Sequence, residues 1–148
     1  MATFNCGPAT VTREHRDSNN LAHGICAIFS GGNFDHTKGG HIILFDLQLV
    51  VQFPSGSTAL IPSASLAHGN VPIQEGEMRV SFTQYCAGGI MRAVEWAFQS
   101  KEQIKEGKGP EAEALRRRIK ERTPGRWQWA MGLFSKVGEL LQDRMATA

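Results

Sequence analysis

The punctuation of the chain up to residue 90 constrains its fold more than any other feature. Short apolar runs are cut at close intervals by turn-forming clusters: Gly31-Gly32-Asn33, Gly39-Gly40, Pro54-Ser55-Gly56-Ser57, Gly69-Asn70 and Glu75-Gly76. Gly reaches positive φ, Pro fixes φ and lacks an N–H, and Asn and Ser bond their own backbone, so each breaks regular structure for its own reason. The stretches between them are too short for helices, which makes 25–29, 41–45, 47–53, 58–61, 65–68 and 78–85 the expected strands. Strands that short and evenly spaced close on one another as a sandwich or a barrel-like β fold.

Beyond residue 90 the period changes. Ile90, Val94, Ala97 and Phe98 recur at helical spacing, and the stretch 107–110 interrupts them. Residues 111–122 read as a charged helix. Pro124 then opens a last amphipathic segment with Trp127, Met131, Phe134, Val137 and Leu141 as its stripe. Trp127 and Trp129, two apart, cannot share one helical face. The expected class is α+β: a β core over 1–89, then a layer of about three helices over 90–148 packed on it as one domain, which suits 148 residues.

Composition narrows the function classes. Hydrophobic content of 41% and charge of 20% are ordinary for a soluble globular protein. No apolar run approaches the roughly 18 residues of a membrane span, so no membrane partner is expected. The N-terminus has neither a basic nor an apolar leader region, and Cys6, Cys26 and Cys86 form no Cys-x-x-Cys. Both point to an intracellular protein with reduced thiols and no structural zinc. A net charge of +2 permits a nucleic-acid partner without implying one.

Three short pieces carry candidate chemistry. In a strand, residues two apart share a face, so His15 and Asp17 in His15-Arg16-Asp17 can aim an imidazole and a carboxylate at one point. Non-haem Fe(II) in oxygenases takes two His and one carboxylate and leaves positions open. His68, at the end of an expected strand, can supply the second imidazole. Arg79 and Ser81 in Arg79-Val80-Ser81 likewise share a face, in a strand otherwise apolar. An inward guanidinium needs an anionic partner, and a dicarboxylate such as 2-oxoglutarate accepts both its fork and the Ser hydroxyl. Each piece alone reads more simply, as a surface His–Asp pair, a loop histidine, or an arginine paired with Glu75 or Glu77. Their conjunction favours a site.

Other candidates are weaker. His23, His36 and His41, with Asp35, match no familiar ligand spacing. Gly39-Gly40 lacks the Lys-Ser/Thr of a phosphate loop. The basic cluster Arg116, Arg117, Arg118, Lys120 and Arg122 can be read as a DNA contact or nuclear-import signal, but reads first as a solvated helix face balanced by Glu111, Glu113 and Glu121.

The same residues lie in a longer pattern, HRDSNNLAHGICAIF followed by GGHIILFDLQLVVQFPSGSTALIPSASLAHGNVPIQEGEMRVSFTQY. Residues 54–81 resemble the C-terminal half of the double-stranded β-helix of 2-oxoglutarate oxygenases, with its apolar strand, distal His, Gly turn and Arg-x-Ser strand. Residues 2–100, with RWQWAMGLFSKV, resemble a fungal branch of the TET/JBP-like Fe(II)/2-oxoglutarate-dependent dioxygenases. The resemblance implies a jelly-roll or cupin-like core, Fe(II), 2-oxoglutarate as co-substrate, and dioxygen. It implies His15, Asp17 and His68 as iron ligands, Arg79 and Ser81 on the distal carboxylate, and no catalytic residue beyond the metal centre. By its His-x-Asp-x-x-Asn pattern it places Asn20 near the target base. The implied reaction is oxidation of a methylated base, 5-methylcytosine-like, in nucleic acid, with methylated DNA as partner and the nucleus as a compartment. Members of the group usually carry a substantial region before the His-x-Asp strand, where only fourteen residues precede His15. The rival readings are a small-molecule or protein hydroxylase on the same scaffold, and a truncated, inactive remnant.

Overall fold

The structure, a computed structural model, describes residues 1–146, which divide into two compact units, one ending at Ile90 and one beginning at Met91. The first unit holds seven strands: β1 (Ala2–Asn5), β2 (Cys26–Asn33), β3 (Ile42–Leu44), β4 (Leu49–Val51), β5 (Thr58–Ile61), β6 (His68–Asn70) and β7 (Met78–Gln84). They form two antiparallel sheets, ordered β1-β7-β2-β5 and β4-β3-β6. The expected strands 41–45 and 47–53 are the hairpin β3–β4. Its corner is a one-turn 3-10 helix at Phe45–Leu47, closed by Gln48 in the left-handed region at φ 54°. Neither Gly nor Pro marks this turn. It is held instead by Asp46, whose carboxylate accepts from the Ala67 N–H at 2.7 Å and from Arg16 at 2.7 Å.

Register sorts the four-stranded sheet into two unlike faces. Phe4, Phe82 and Phe29 lie side by side on one face, with the Phe4 and Phe82 rings 4.6 Å apart. On the other, Asn5, Ser81 and Ser30 form a row, and Arg79 stands opposite Gly32. The buried apolar residues of this unit are few: Cys26, Ile42, Phe53, Ile61 and Ala67. Beside them Ser30, Ser63, His68 and Arg79 are buried too. An interior this polar opposes stability unless its groups find partners. Gly32 permits the packing next to Arg79: at φ +117° a Cβ there would stand 2.2 Å from the Met78 carbonyl oxygen.

Among the described residues five helices follow instead of about three: α1 (Gly88–Glu95), α2 (Lys101–Glu106), α3 (Pro110–Arg122), α4 (Arg126–Met131) and α5 (Leu140–Ala146). Ser100 and Gln103 form a capping box at the start of α2. Pro110 opens α3, with Glu111 and Glu113 in its first turn and Lys120 and Arg122 in its last, complementing the helix dipole. The expected final amphipathic helix is broken: α4 stops at Gly132, and Trp127, Trp129, Val137 and Leu141 are exposed while Ala130 is buried. The basic cluster also divides. Arg116 turns inward and donates to the Ile104 and Gly107 carbonyls at 2.9 and 2.8 Å, which caps the end of α2. Arg118 donates to the Glu95 carbonyl.

In the loop after β2, the Asp35 carboxylate accepts from the Thr37 N–H at 3.0 Å and its hydroxyl at 2.6 Å, and pairs with Lys38 at 3.1 Å. These bonds favour the ionised form and hold its pKa down to about 2. A depressed carboxyl contributes its stabilisation above its unfolded value near 3.8 and loses it as pH falls through about 2. An NMR titration of the Asp35 carboxyl carbon is therefore expected to show a midpoint near 2, with the Thr37 amide signal moving in step. A midpoint near 3.8 would mean that the turn does not hold the carboxylate. This commitment also removes Asp35 from the second metal group considered with His23, His36 and His41.

Candidate metal centre

The segment between β1 and β2 brings the site together without being a strand. Ala9 bridges Arg79 in parallel, Thr12 exchanges bonds with Asn70, and His15 and His68 then face each other in an isolated antiparallel bridge. The His15 N–H donates to the His68 carbonyl and the His68 N–H to the His15 carbonyl, both at 3.0 Å. The expectation that His15 and Asp17 sit in a regular strand is thus corrected. The ladder ends after one pair because the Asp17 N–H turns to the Ser63 carbonyl and Ser18 begins a turn on Arg16. The expected strand 65–68 is corrected: Ser65 and Leu66 turn back on the Pro62 carbonyl, and β6 begins only at His68. Gly69, read as a turn residue, lies within it, and a Cβ there would stand 2.9 Å from the Thr12 carbonyl oxygen, so the close approach needs glycine.

One nitrogen from each of His15 and His68 and one Asp17 oxygen all lie within 4.8 Å of one another. The two rings are 4.3 Å apart, and His15 Nε2 stands 3.5 Å from Asp17 Oδ1. Each Nδ1 lies 2.9 Å from a carbonyl oxygen two residues back, Arg13 for His15 and Leu66 for His68. A carbonyl only accepts, so these contacts place a proton on each Nδ1 and leave Nε2 as the ring nitrogen that can take a metal. Asp17 Oδ2 accepts from Asn20 Nδ2 at 3.1 Å, which leaves Oδ1 on the side of the imidazoles. Two imidazole nitrogens and one carboxylate oxygen are the donor set that suits Fe(II) with open positions, and the residues fit it. The Cys26 thiol is not among these donors. Burial and the nearby Asp17 charge raise its pKa, against a bond from Ser63, so it stays protonated.

Arg79 is 3% exposed, and its charge meets no carboxylate among the described residues. Nη1 donates to the Thr10 carbonyl and hydroxyl at 3.2 and 3.3 Å, and the guanidinium lies over the Phe53 ring at 5.9 Å. Nε is buried without a hydrogen-bond partner. Burial lowers its pKa from the ordinary guanidinium value. Glu77, a partner considered for it, is occupied by the Asp35 and Gln74 N–H groups. Ser81 accepts from Asn5 at 3.0 Å and keeps its own proton to donate.

His15, Asp17, Asn20, His68, Arg79 and Ser81 all line one cavity of about 860 Å³. Sequence reasoning missed Thr10, Ser63 and Asn70, whose contacts depend on chain segments far apart in sequence. No periodicity could have shown them.

No protein-family model matches the sequence, and no curated protein matches it closely enough to count as a relative. Among solved structures, NgTET1 in complex with 5mC DNA superposes with a TM-score of 0.52 at 19% identity, over 60% of this chain and 34% of that one. A viral collagen prolyl hydroxylase from Paramecium Bursaria Chlorella virus-1, in its 2OG complex, gives 0.41 at 13% identity over 56% and 59%. The chain therefore spans about a third of the length of NgTET1. At such identity the first likeness shows a fold alone, shared with NgTET1 over 60% of this chain. No helix among the described residues is long and apolar enough to cross a membrane.

Proposed function

We propose that the chain is an Fe(II)- and 2-oxoglutarate-dependent dioxygenase with a double-stranded β-helix core, in which His15, Asp17 and His68 hold iron and Arg79 and Ser81 hold the distal carboxylate of 2-oxoglutarate. The observation that carries this reading is that one cavity contains both halves of the requirement. It holds an imidazole–imidazole–carboxylate cluster whose Nδ1 atoms are tied to backbone carbonyls, and a buried arginine that lacks an anion.

Iron and the 2-oxo acid supply the activation of dioxygen when bound. The protein's own work is positional. The Arg13 and Leu66 carbonyls fix the ring orientation of both histidines, and Asn20 fixes Asp17. Arg79 and Ser81 anchor one end of a dicarboxylate and so orient the other. Ile28 and Ile42 in the cavity wall limit water around the reacting atoms.

The substrate we propose is a methylated pyrimidine, 5-methylcytosine-like, in DNA, unstacked to reach the cavity. The likeness in fold to NgTET1 and the cavity position of Asn20 support it. Because the Asn20 amide nitrogen is engaged, a base would meet its Oδ1, an acceptor suited to the exocyclic amine of cytosine. An intracellular, nuclear location belongs to the same reading. One observation favours the second reading, a small-molecule or protein hydroxylase. The basic residues lining the cavity are Arg16 and Arg79, and their guanidinium groups already contact Asp46 and Thr10.

Incubation with Fe(II), 2-oxoglutarate and oxygen is expected to release succinate in step with loss of 5-methylcytosine from an oligonucleotide. Succinate release that ignores the methyl mark would favour the second reading. A folded sample with no visible charge-transfer band from Fe(II) and 2-oxoglutarate under anaerobic conditions would leave only the inactive remnant.

A further inference from the structure

We infer that Asn20 and Ser63 form a clamp that keeps Asp17 bound to the metal through one oxygen, and thereby keeps a coordination position open for the 2-oxo acid. The inference rests on the site proposed above and concerns residues that the proposed ligand set does not use as ligands.

The clamp is built from both ends of Asp17. Its N–H donates to the Ser63 carbonyl at 3.0 Å and its carbonyl accepts from the Asn20 N–H at 2.8 Å, so the backbone cannot pivot. Asn20 Nδ2 then donates to Asp17 Oδ2 at 3.1 Å and to Ser63 Oγ at 3.2 Å. Ser63, just beyond the end of β5, is 1% exposed. Asn20 is itself fixed by an antiparallel bridge to Ala87, and the neighbouring Asn19 carbonyl accepts from the Gly88 N–H at 2.9 Å. The amide nitrogen bonds two side chains and no local backbone, so it is not a turn cap. Both of its hydrogens have a use, and one of them holds Oδ2.

A carboxylate can bind a metal through one oxygen or both. With His15, His68 and one Asp17 oxygen in place, an octahedral metal keeps enough positions for a bidentate 2-oxo acid and dioxygen. A second Asp17 oxygen would consume one of them. Oδ1 faces the imidazoles, and turning Oδ2 toward them would break its bond to Asn20. Asn20 is therefore a positioning residue that acts through Asp17.

Co(II), whose visible spectrum reports coordination number, serves as the probe in anaerobic protein. For Asn20→Ala, the Co(II) spectrum is expected to change before any 2-oxoglutarate is added. Affinity for Co(II) stays within about threefold, while the 2-oxoglutarate concentration needed to saturate the loaded protein rises about tenfold, at the lower end of outer-sphere effects. Ser63→Ala should move both readouts the same way, and the double variant no further than the larger single effect, because the two act as one unit. Ser63→Ala decides the question if Asn20→Ala does not fold. A folded variant with the wild-type spectrum and wild-type 2-oxoglutarate titration would overturn the clamp, as would a large loss of Co(II) affinity with no change in 2-oxoglutarate binding. Wild-type protein that binds no Co(II) would instead overturn the site itself.

Discussion

His68→Ala is expected to lower Fe(II) affinity by more than about 100-fold, exceeding the loss typical of outer-sphere partners, while the first unit stays folded. The side chain is 6% exposed, and its Nδ1 is tied to the Leu66 carbonyl, so its Nε2 has little freedom to do anything but face the cluster. Removing the ring removes one of three donors and leaves the backbone exchange with His15 intact, since that uses main-chain atoms only. The stability cost is that of one modest cavity, about 1–2 kcal/mol. Asp17→Ala should behave alike, whereas His36→Ala, in a loop away from the cluster, should bind Fe(II) as wild type does. Metal titration, with unfolding measured in parallel, checks all three. A folded His68→Ala protein with unchanged affinity would remove the triad.

Arg79→Met is expected to separate stability from function. The arginine is buried with no carboxylate among the described residues and with Nε unsatisfied, so in the absence of a ligand it opposes folding. Methionine keeps an unbranched apolar stem of adaptable shape and removes the charge. The variant should unfold at the same denaturant concentration as wild type or higher. Its affinity for 2-oxoglutarate should fall roughly 10- to 150-fold, the equivalent of a hydrogen bond to a charged group worth about 1.5–3 kcal/mol. Adding 2-oxoglutarate should raise the unfolding midpoint of wild type and leave that of the variant almost unchanged. Calorimetric binding and denaturant titration test the pair of effects together. A variant that is several kcal/mol less stable yet binds 2-oxoglutarate normally would show Arg79 to be a purely structural residue.

Much of the β pattern was legible because Gly and Pro mark the turns, and 58–61 coincides with β5. β1 was not legible, since Ala2–Asn5 is too short an edge strand for alternation to register. The candidate site residues were legible as residue types, and the structure gathers them in one cavity, but by other means than strand alternation throughout. His15 and Asp17 meet His68 through a single bridge, and Gly69 works as a point of close approach where the sequence suggested a turn. The roles of Thr10, Ser63 and Asn70 were not legible, because a hydroxyl or amide acquires its partner only when distant segments meet. The helical stripe failed for a related reason. Trp127, Val137 and Leu141 have the spacing of a buried face, but the chain breaks between α4 and α5 and leaves them exposed.

The paired backbone bonds between His15 and His68 have one more consequence. These two residues are at once the last stitch joining the incoming segment to β6 and the two imidazoles of the cluster. An ion held between them would lock that stitch and close a loop of chain from residue 15 to residue 68, much as a covalent cross-link shortens the reach of an open chain. Loss of the ion and fraying of this seam would then be one event, and hydrogen exchange at the amides of His15 and His68 would report occupancy directly.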